Sequence, residues 1–402
     1  MSLTRPADSE ALATAAADCV VVAADPRARS ASAYFWDRGR RWTGAAAQAV
    51  TGSEDAQIRA LGQALAAAPA DPARYFALRS ELITAGTAGR PAAAAIFEAA
   101  WQAECNSRLG YLLGPGYRTD EPPLPADELL EQPPGRPLAG PDGVEVLVVI
   151  PFQDRSQDRS RLRNLLACLL SLRDQSCARD SYQVTVVESD DTERWAGVIG
   201  PRADHYIFAR KPGPFCKSWA VNVGVTHSPG RPEVICILDA DVLTDRQFVS
   251  RNAIRFRAPG TGGHLTYRNM LSLDGPATSR AIRDRVHRRA AQASPDHFRG
   301  FLLRRPPGCC VWVRAGAFRR IGGMDERYEG WGGEDYDFAH RLDLDAPLDY
   351  YDDWLLHMHH PPSAFIREDG GLAAIPPLSW DPAEPIGRLD RFAASRPPGA
   401  AG

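Results

Sequence analysis

Apolar and polar positions change their spacing about a third of the way along this chain. From residue 8 to about 112 the sequence is rich in Ala, Leu, Arg and Glu. Stretches such as Ala56 to Leu65 set apolar side chains three and four residues apart, the repeat of one helix face. Pro91 to Leu109 repeats the pattern and opens with Pro at a first helical position. Residues 1–113 are therefore expected to form a helical N-terminal domain, and no motif in them carries chemistry. Residues 114–142 are crowded with Pro, Gly and acids, including Pro122-Pro123 and Pro133-Pro134, and read as a linker.

From Val144 short apolar runs alternate with helical stretches. Val144 to Ile150 predicts a strand, Arg161 to Leu172 a helix with an apolar stripe, and Gln183 to Glu188 a second strand. Trp219 to Thr226 predicts another helix and Val234 to Leu238 a buried strand. Strand and helix in alternation specify an α/β fold, a mostly parallel sheet with crossover helices. Ala317 to Ile321 reads as helical, and Trp331 to Leu342 as a glycine-led turn running into a helix. The α/β domain is expected over 143–362, and the Pro-rich tail, 363–402, is expected to wrap the surface.

Composition narrows the function more by exclusion than by pointing. The 402 residues are 44% apolar with a formal net charge of -3, which gives no reason to expect nucleic acid as partner. No apolar run reaches the roughly 18 residues of a membrane span. Asp8, Glu10 and Asp18 stand where a secretory signal would have its basic and apolar regions. Eight cysteines without a CxxC pair fit reduced thiols rather than a disulfide framework or a zinc site. These features lead to the expectation of a cytoplasmic protein of bacterial type, with peripheral membrane association left open. Abundant Ala, Arg, Pro and Gly with scarce Lys read as genomic bias.

Candidate chemistry begins where the strand Val234 to Leu238 runs into Asp239-Ala240-Asp241. Open α/β sheets bind ligands at the carboxyl ends of their strands. Two close carboxylates there repel unless a cation offsets them, so a divalent ion holding a phosphorylated substrate is one reading. A turn with a helix N-cap is the other. Pro151-Phe152-Gln153-Asp154-Arg155 follows the first strand, where a nucleotide would sit. Lys217, within Phe215 to Gly224, places a cation at a helix start within reach of a diphosphate. Asn222 could bond a ligand or a neighbouring strand.

Gly330-Trp331-Gly332-Gly333-Glu334-Asp335-Tyr336-Asp337 combines backbone that can approach a ligand closely with an aromatic face and carboxylates able to take a proton. For Asp337 a helix-start role is the better reading. His357-Met358-His359-His360 puts three imidazoles within four residues. Together with the carboxylates they suit Mn²⁺, with Mg²⁺ as substitute, better than Zn²⁺. Arg280, Arg283, Arg285, Arg288 and Arg289 make a basic stretch, read as a solvated helix face or as a mobile loop closing over phosphates.

In this order the five motifs resemble GT-A fold glycosyltransferases, especially the β-1,4-galactosyltransferase group and more distantly the polypeptide N-acetylgalactosaminyltransferases. The resemblance covers residues 144–362. It implies a nucleotide-diphospho-sugar transferase with a Rossmann-like sheet. Such an enzyme moves a hexose or N-acetylhexosamine from a UDP-sugar to an acceptor hydroxyl with a divalent metal. By position, Pro151, Phe152 and Arg155 would line the uridine pocket, Phe215 would pack on the base, and Lys217 would meet the phosphates. Asp239 would contact nucleotide or donor sugar, while Asp241, His357 and His360 would hold the metal, with His359 spare. Trp331, Gly332 and Gly333 would hold donor and acceptor, Glu334 a sugar hydroxyl, and Asp335 would be the general base.

Asp335 stands where retaining relatives usually carry Asn, so the resemblance implies inversion, with retention as the alternative. Lys217 replaces the usual Arg, and Pro306 to Cys310 lacks the aromatic residues that help choose the donor sugar. A non-catalytic nucleotide-sugar-binding protein would be expected to lack these carboxylates, and a nucleotidyltransferase would need a glycine- and arginine-rich loop after the first strand. The acceptor could be a small metabolite, a glycan, a lipid-linked sugar or a peptide, and the oligomeric state is not legible.

Overall fold

The structure, a computed structural model, describes residues 6, 8–134, 143–258, 260–330, 332–361 and 375–393. Trp331, residues 135–142 of the expected linker, and residues 363–374 and 394–402 of the expected tail lie outside the described residues. The chain forms two compact units. One comprises residues 1–123, 269–281 and 294–306, and the other comprises 124–268, 282–293 and 307–402.

The first unit is helical at its start. Ser9–Ala24, Ala33–Thr51, Ala56–Ala67, Pro72–Thr87 and Pro91–Asn106 are its longer helices. Four of them open on a side-chain cap, Asp8, Ser32, Asp55 and Asp71, each accepting from a backbone N–H that the first turn leaves unbonded. The unit is not helical throughout. Leu109–Leu113 is a strand, pairing antiparallel with Arg299–Arg304, which pairs in turn with Asn269–Leu273. Arg299 is wholly buried there, donating to Asp25 at 2.7 Å, Asp274 at 2.9 Å and the Tyr111 hydroxyl at 2.9 Å. A buried guanidinium persists only when its donors are matched in this way.

The second unit is built on a seven-stranded sheet. Its strands are β1 (Val146–Phe152), β2 (Tyr182–Asp190), β3 (His205–Arg210) and β4 (Val234–Leu238). After β5 (Val242–Leu243), which lies outside this sheet, come β6 (Gly263–Leu265), β7 (Cys310–Arg314) and β8 (Leu348–Tyr350). The order is β8-β6-β7-β4-β1-β2-β3, parallel except where β7 runs against β4 and β6. Helices α1 (Ser160–Arg173) and α2 (Lys217–His227) are crossovers. Val148, Val149, Val186 and Val187 are fully buried, and each such side chain contributes about 1.5 to 3 kcal/mol. Gly224 lets α2 approach the sheet, since a Cβ there would lie 2.4 Å from a Val149 methyl.

Two strands differ from expectation at the end that matters. β1 extends through Pro151 and Phe152, which still pair with Val187 and Glu188, so neither belongs to the loop beyond. β2 continues to Asp190. In the described part of the tail, the Arg388 carbonyl accepts from the Trp219 indole at 3.0 Å and the Phe392 ring stands 4.9 Å from that of Trp219.

Arg285 departs from both readings of the basic stretch, whereas the Arg288 side chain in the same stretch is 55% exposed. Arg285 is 1% exposed and donates to the carbonyls of Thr244, Ser171 and Asp174 and to the Asp174 carboxylate, bracing the end of α1. Guanidinium has five donors in a fixed fork, and here the three carbonyls, the carboxylate and a longer bond of 3.4 Å to the Ala290 carbonyl take all five.

Candidate functional site

The site gathers at the carboxyl edge of β4. Five buried apolar residues leave Asp239 as the first polar group beyond the strand, and its N–H donates to the Cys309 carbonyl at 2.8 Å. The chain turns and enters β5, which pairs antiparallel with β9 (Leu355–His357), setting His357 opposite Val242. Met358 N–H then donates to the Asp241 carbonyl at 2.7 Å. From α1, Asn164 donates to the carbonyls of Met358 and His359, each at 3.2 Å, which holds the histidine turn in place.

This pairing assembles Asp241, His357 and His360. The Asp241 Oδ2 lies 3.0 Å from His360 Nε2 and 3.5 Å from His357 Nε2, and one donor atom from each of the three residues falls within 4.8 Å of the others. Burial pushes the Asp241 carboxyl up, but the two imidazoles outweigh it and hold the group well below the usual carboxylate range. Burial opposes the charge on His357, and the Asp241 carboxylate raises its pKa in spite of that. Asp241 Oδ1 and His357 Nδ1 are buried without a hydrogen-bond partner among the described residues. One oxygen and one imidazole nitrogen with unspent bonding capacity, beside the second imidazole of His360, make a donor set that fits a divalent transition ion. His359, expected as the spare, has an exposed side chain.

A second cluster is centred on Lys217, the first residue of α2. Its Nζ lies 2.7 Å from Asp239 Oδ1, and 3.0 and 3.2 Å from the two oxygens of Asp335. Burial disfavours the ammonium, yet Asp239 and Asp335 keep its pKa well above the ordinary lysine value. Glu334 and Asp335 open helix α3 (Glu334–Asp345). They follow Gly332 and Gly333 at φ 103° and 100°, a backbone that side chains with a Cβ rarely adopt. Gly330 N–H donates to the Phe215 carbonyl at 2.8 Å, tying this turn to the start of α2. Glu334 is 8% exposed, and burial followed by the Asp335 charge pushes its carboxyl up to about 7. Its Oε2 has no partner among the described residues.

The loop before β7 closes the cluster. Tyr267 donates its hydroxyl to the Gly308 carbonyl, and a Cβ on Gly308 would lie 2.4 Å from Asp335 Oδ2.

At the neighbouring strand ends the picture differs. Phe152 is 2% exposed, so its ring packs among core groups. Pro151 is buried beside it. Arg155 donates to the Asp190 carboxylate at 2.8 and 2.5 Å. Asp190, 1% exposed at the end of β2, also pairs with Arg194. Sequence reasoning passed over Asp190. The available signal was a second parallel strand ending in Ser189-Asp190-Asp191, on the same sheet edge as Asp239. Phe215 packs, half-buried, on the Trp219 cluster. Asn222 is committed to structure, bonding Met324 and Glu326. Asp337, as expected, serves its helix, bonding Arg341 at 2.7 Å and Leu378 N–H at 2.9 Å.

Residues 147–322 match the family model described as glycosyl transferase family 2, and residues 303–346 the one described as N-terminal domain of galactosyltransferase. A search of the curated proteins finds no match. Among solved structures the chain is similar to a mannosyltransferase from Pyrobaculum calidifontis in complex with GDP-Man and Mn²⁺. The identity is 17%, over 60% of this chain and 64% of that one, with a TM-score of 0.37. It is similar to S. aureus TarS 1–349 in complex with UDP-GlcNAc at 13% identity, over 55% and 60% of the two chains, with a TM-score of 0.38. The catalytic domain of Drosophila β1,4-galactosyltransferase 7 in complex with xylobiose gives 18%, over 54% and 71%, with a TM-score of 0.31. The chain spans less than two thirds of the length of the first two.

Proposed function

We propose that this chain, whose residues 147–322 and 303–346 match glycosyltransferase family models, is a GT-A fold glycosyltransferase that moves a hexose or N-acetylhexosamine from a UDP-sugar to an acceptor hydroxyl, with inversion and with Mn²⁺ or Mg²⁺. The observation that carries the proposal is the pairing of two groups at one strand end. The Asp241, His357 and His360 triangle suits a cation, and beside it Lys217 holds Asp239 and Asp335.

Asp241, His357 and His360 would hold the cation, which supplies positive charge beside a departing diphosphate. Lys217 is a second positive charge on that side of the site. Asp239, two residues before Asp241, faces the nucleotide or donor sugar. Asp335 takes the proton from the acceptor hydroxyl as that oxygen attacks the anomeric carbon. Glu334, with its carboxyl raised to about 7, is partly protonated at neutral pH and can donate to a sugar oxygen. Arg155 and Asp190 offer a polar edge for the nucleotide at the adjacent strand ends.

Thermal shift with a panel of UDP- and GDP-sugars, with and without Mn²⁺, tests the reading. A UDP-sugar should stabilise the protein only with metal, by about 2.7 kcal/mol at a hundredfold excess over Kd. Asp241→Asn should abolish that shift while the protein without ligand melts as the wild type does. Absence of any metal-dependent shift by any nucleotide sugar would sink the proposal.

A further inference from the structure

The helix Ala33–Thr51 turns one side to its own unit and the other to solvent. Phe35, Gly39, Thr43, Ala46 and Val50 are buried along one stripe. Tyr34, Arg38 and Arg41 follow one another at spacings of four and three residues on the opposite side, and Trp36 and Arg40 make a second row on its flank. Arg38, Arg40 and Arg41 are exposed, as is Arg29 in the short helix Arg27–Ala31 just before. Each guanidinium lies over an aromatic ring. Arg38 stands 3.6 Å from the centre of the Tyr34 ring, Arg40 and Arg29 stand 5.4 and 5.8 Å from that of Trp36, and Arg41 stands 4.7 Å from that of Trp42.

The charge of this face is not balanced locally. Residues 27–41 hold five arginines and one aspartate, in a chain whose formal net charge is -3. Arg27 is paired with Asp25 at 3.0 Å. Among the described residues no carboxylate stands within ion-pair distance of Arg29, Arg38, Arg40 or Arg41. Four exposed cations with interleaved rings therefore share one surface with no anion of the chain to offset them.

We propose that this face binds the anionic surface of a lipid bilayer, with Arg29, Arg38, Arg40 and Arg41 taking the headgroup phosphates. A guanidinium meets phosphate oxygens through two parallel donors. Each arginine near an anionic bilayer surface strengthens binding by about fivefold. Indole and phenol rings, apolar in body with one polar edge, settle at headgroup level. Nucleic acid fits less well, because its bases need an open ring face to stack on and the guanidinium groups already cover these rings. The apolar stripe of the helix is spent inside the unit, so the helix lies on the headgroups rather than among the acyl chains.

The inference does not depend on the transferase reading, and lipid binding reads it alone. The test is co-sedimentation of the full-length protein with vesicles of phosphatidylcholine, and with vesicles of phosphatidylcholine and phosphatidylglycerol in equal parts. The protein should sediment with the mixed vesicles and not with phosphatidylcholine alone, and high salt should release it. Arg38→Ala with Arg41→Ala should weaken binding tenfold or more, and Arg38→Lys with Arg41→Lys, which keeps the charge, should recover most of the loss. Arg231→Ala with Arg319→Ala removes two exposed arginines elsewhere and should leave binding unchanged. Absence of binding to the mixed vesicles, equal binding to both kinds of vesicle, or equal loss in the two double-alanine variants would overturn the proposal. Tighter binding to single-stranded RNA or to polyglutamate than to the mixed vesicles, lost in the Arg38→Ala, Arg41→Ala variant, would give the face to a soluble polyanion and overturn it as well.

Discussion

The Lys217 ammonium stands 3.0 Å from Asp335 Oδ1 and only 2.7 Å from Asp239 Oδ1, so one cation joins the start of a helix to the end of a strand. The two carboxylates it serves come from residues 96 positions apart, by subtraction of 239 from 335. All three side chains are less than a quarter exposed. The ion pair therefore acts in a medium where losing one partner is far more costly than losing both.

Lys217→Met should lower stability by about 3 to 5 kcal/mol, because it strands two buried carboxylates. The double variant Lys217→Met, Asp335→Asn should be more stable than Lys217→Met alone, since it removes one of the stranded charges. Urea unfolding of the wild type, both single variants and the double variant measures the coupling. A double variant less stable than Lys217→Met would contradict this account of the pair.

Gly308→Ala should spare the fold and impair the chemistry. The new methyl would meet Asp335 Oδ2 at 2.4 Å, and the end of that side chain can yield where backbone could not. With Asp335 as the proposed base, displacing its carboxylate by a fraction of an ångström is expected to cut kcat tenfold or more, with donor-dependent thermal stabilisation retained. Equal kcat in the variant and the wild type would remove Asp335 from the role of base.

Glu334 makes stability depend on pH. Its folded pKa of about 7 lies above the usual 4.5. The folded state then holds a proton that the unfolded chain has released, so stability is fullest below about 4.5 and falls as pH rises towards 7. Glu334→Gln should remove that slope and be relatively more stable at pH 8 by about 1 to 3 kcal/mol, using 1.36 kcal/mol per unit. Melting temperatures of both proteins from pH 4.5 to 8 give the comparison. Parallel curves would mean that Glu334 ionises normally.

Arg285→Met should destabilise without touching catalysis. It orphans carbonyls of Thr244, Ser171 and Asp174, and each unsatisfied buried acceptor costs about 1 to 3 kcal/mol. Donor KM, measured below the lowered melting point, should be unchanged. A raised donor KM would restore the idea of a phosphate-covering arginine.

Much of the site was legible because its chemistry sits in local motifs. Asp239 and Asp241 end an apolar run, and a strand's carboxyl edge follows from the alternation of strand and helix around it. Glycines before Glu334 and Asp335 announce a turn that needs positive φ, and residues 332 and 333 have it. The end of β1 was not legible because local pattern does not say where a strand stops: pairing with Glu188 carried Phe152 into the strand, two residues beyond the expected end. Asp190 was missed for the converse reason, being polar at the end of a longer strand than the apolar run suggested. Arg285 looked like solvated charge because nothing local reveals that Thr244, Ser171 and Asp174 converge on it.

By itself the sequence determined the alternating α/β order, the carboxylates and imidazoles available, and the helices of the first hundred residues, since period and turn chemistry are properties of neighbouring residues. Tertiary structure decided which of those groups meet. Pairing of β5 with β9 brought His357 and His360 to Asp241 across more than a hundred residues, and Lys217 was drawn between Asp239 and Asp335 rather than left pointing to solvent. It also drew residues 269–281 and 294–306 into the same compact unit as the N-terminal helices, where Arg299 is wholly buried between Asp25 and Asp274. The physical reason is the same in each case. Burial and charge pairing act between whichever groups the chain brings together, and separation along the sequence does not enter them.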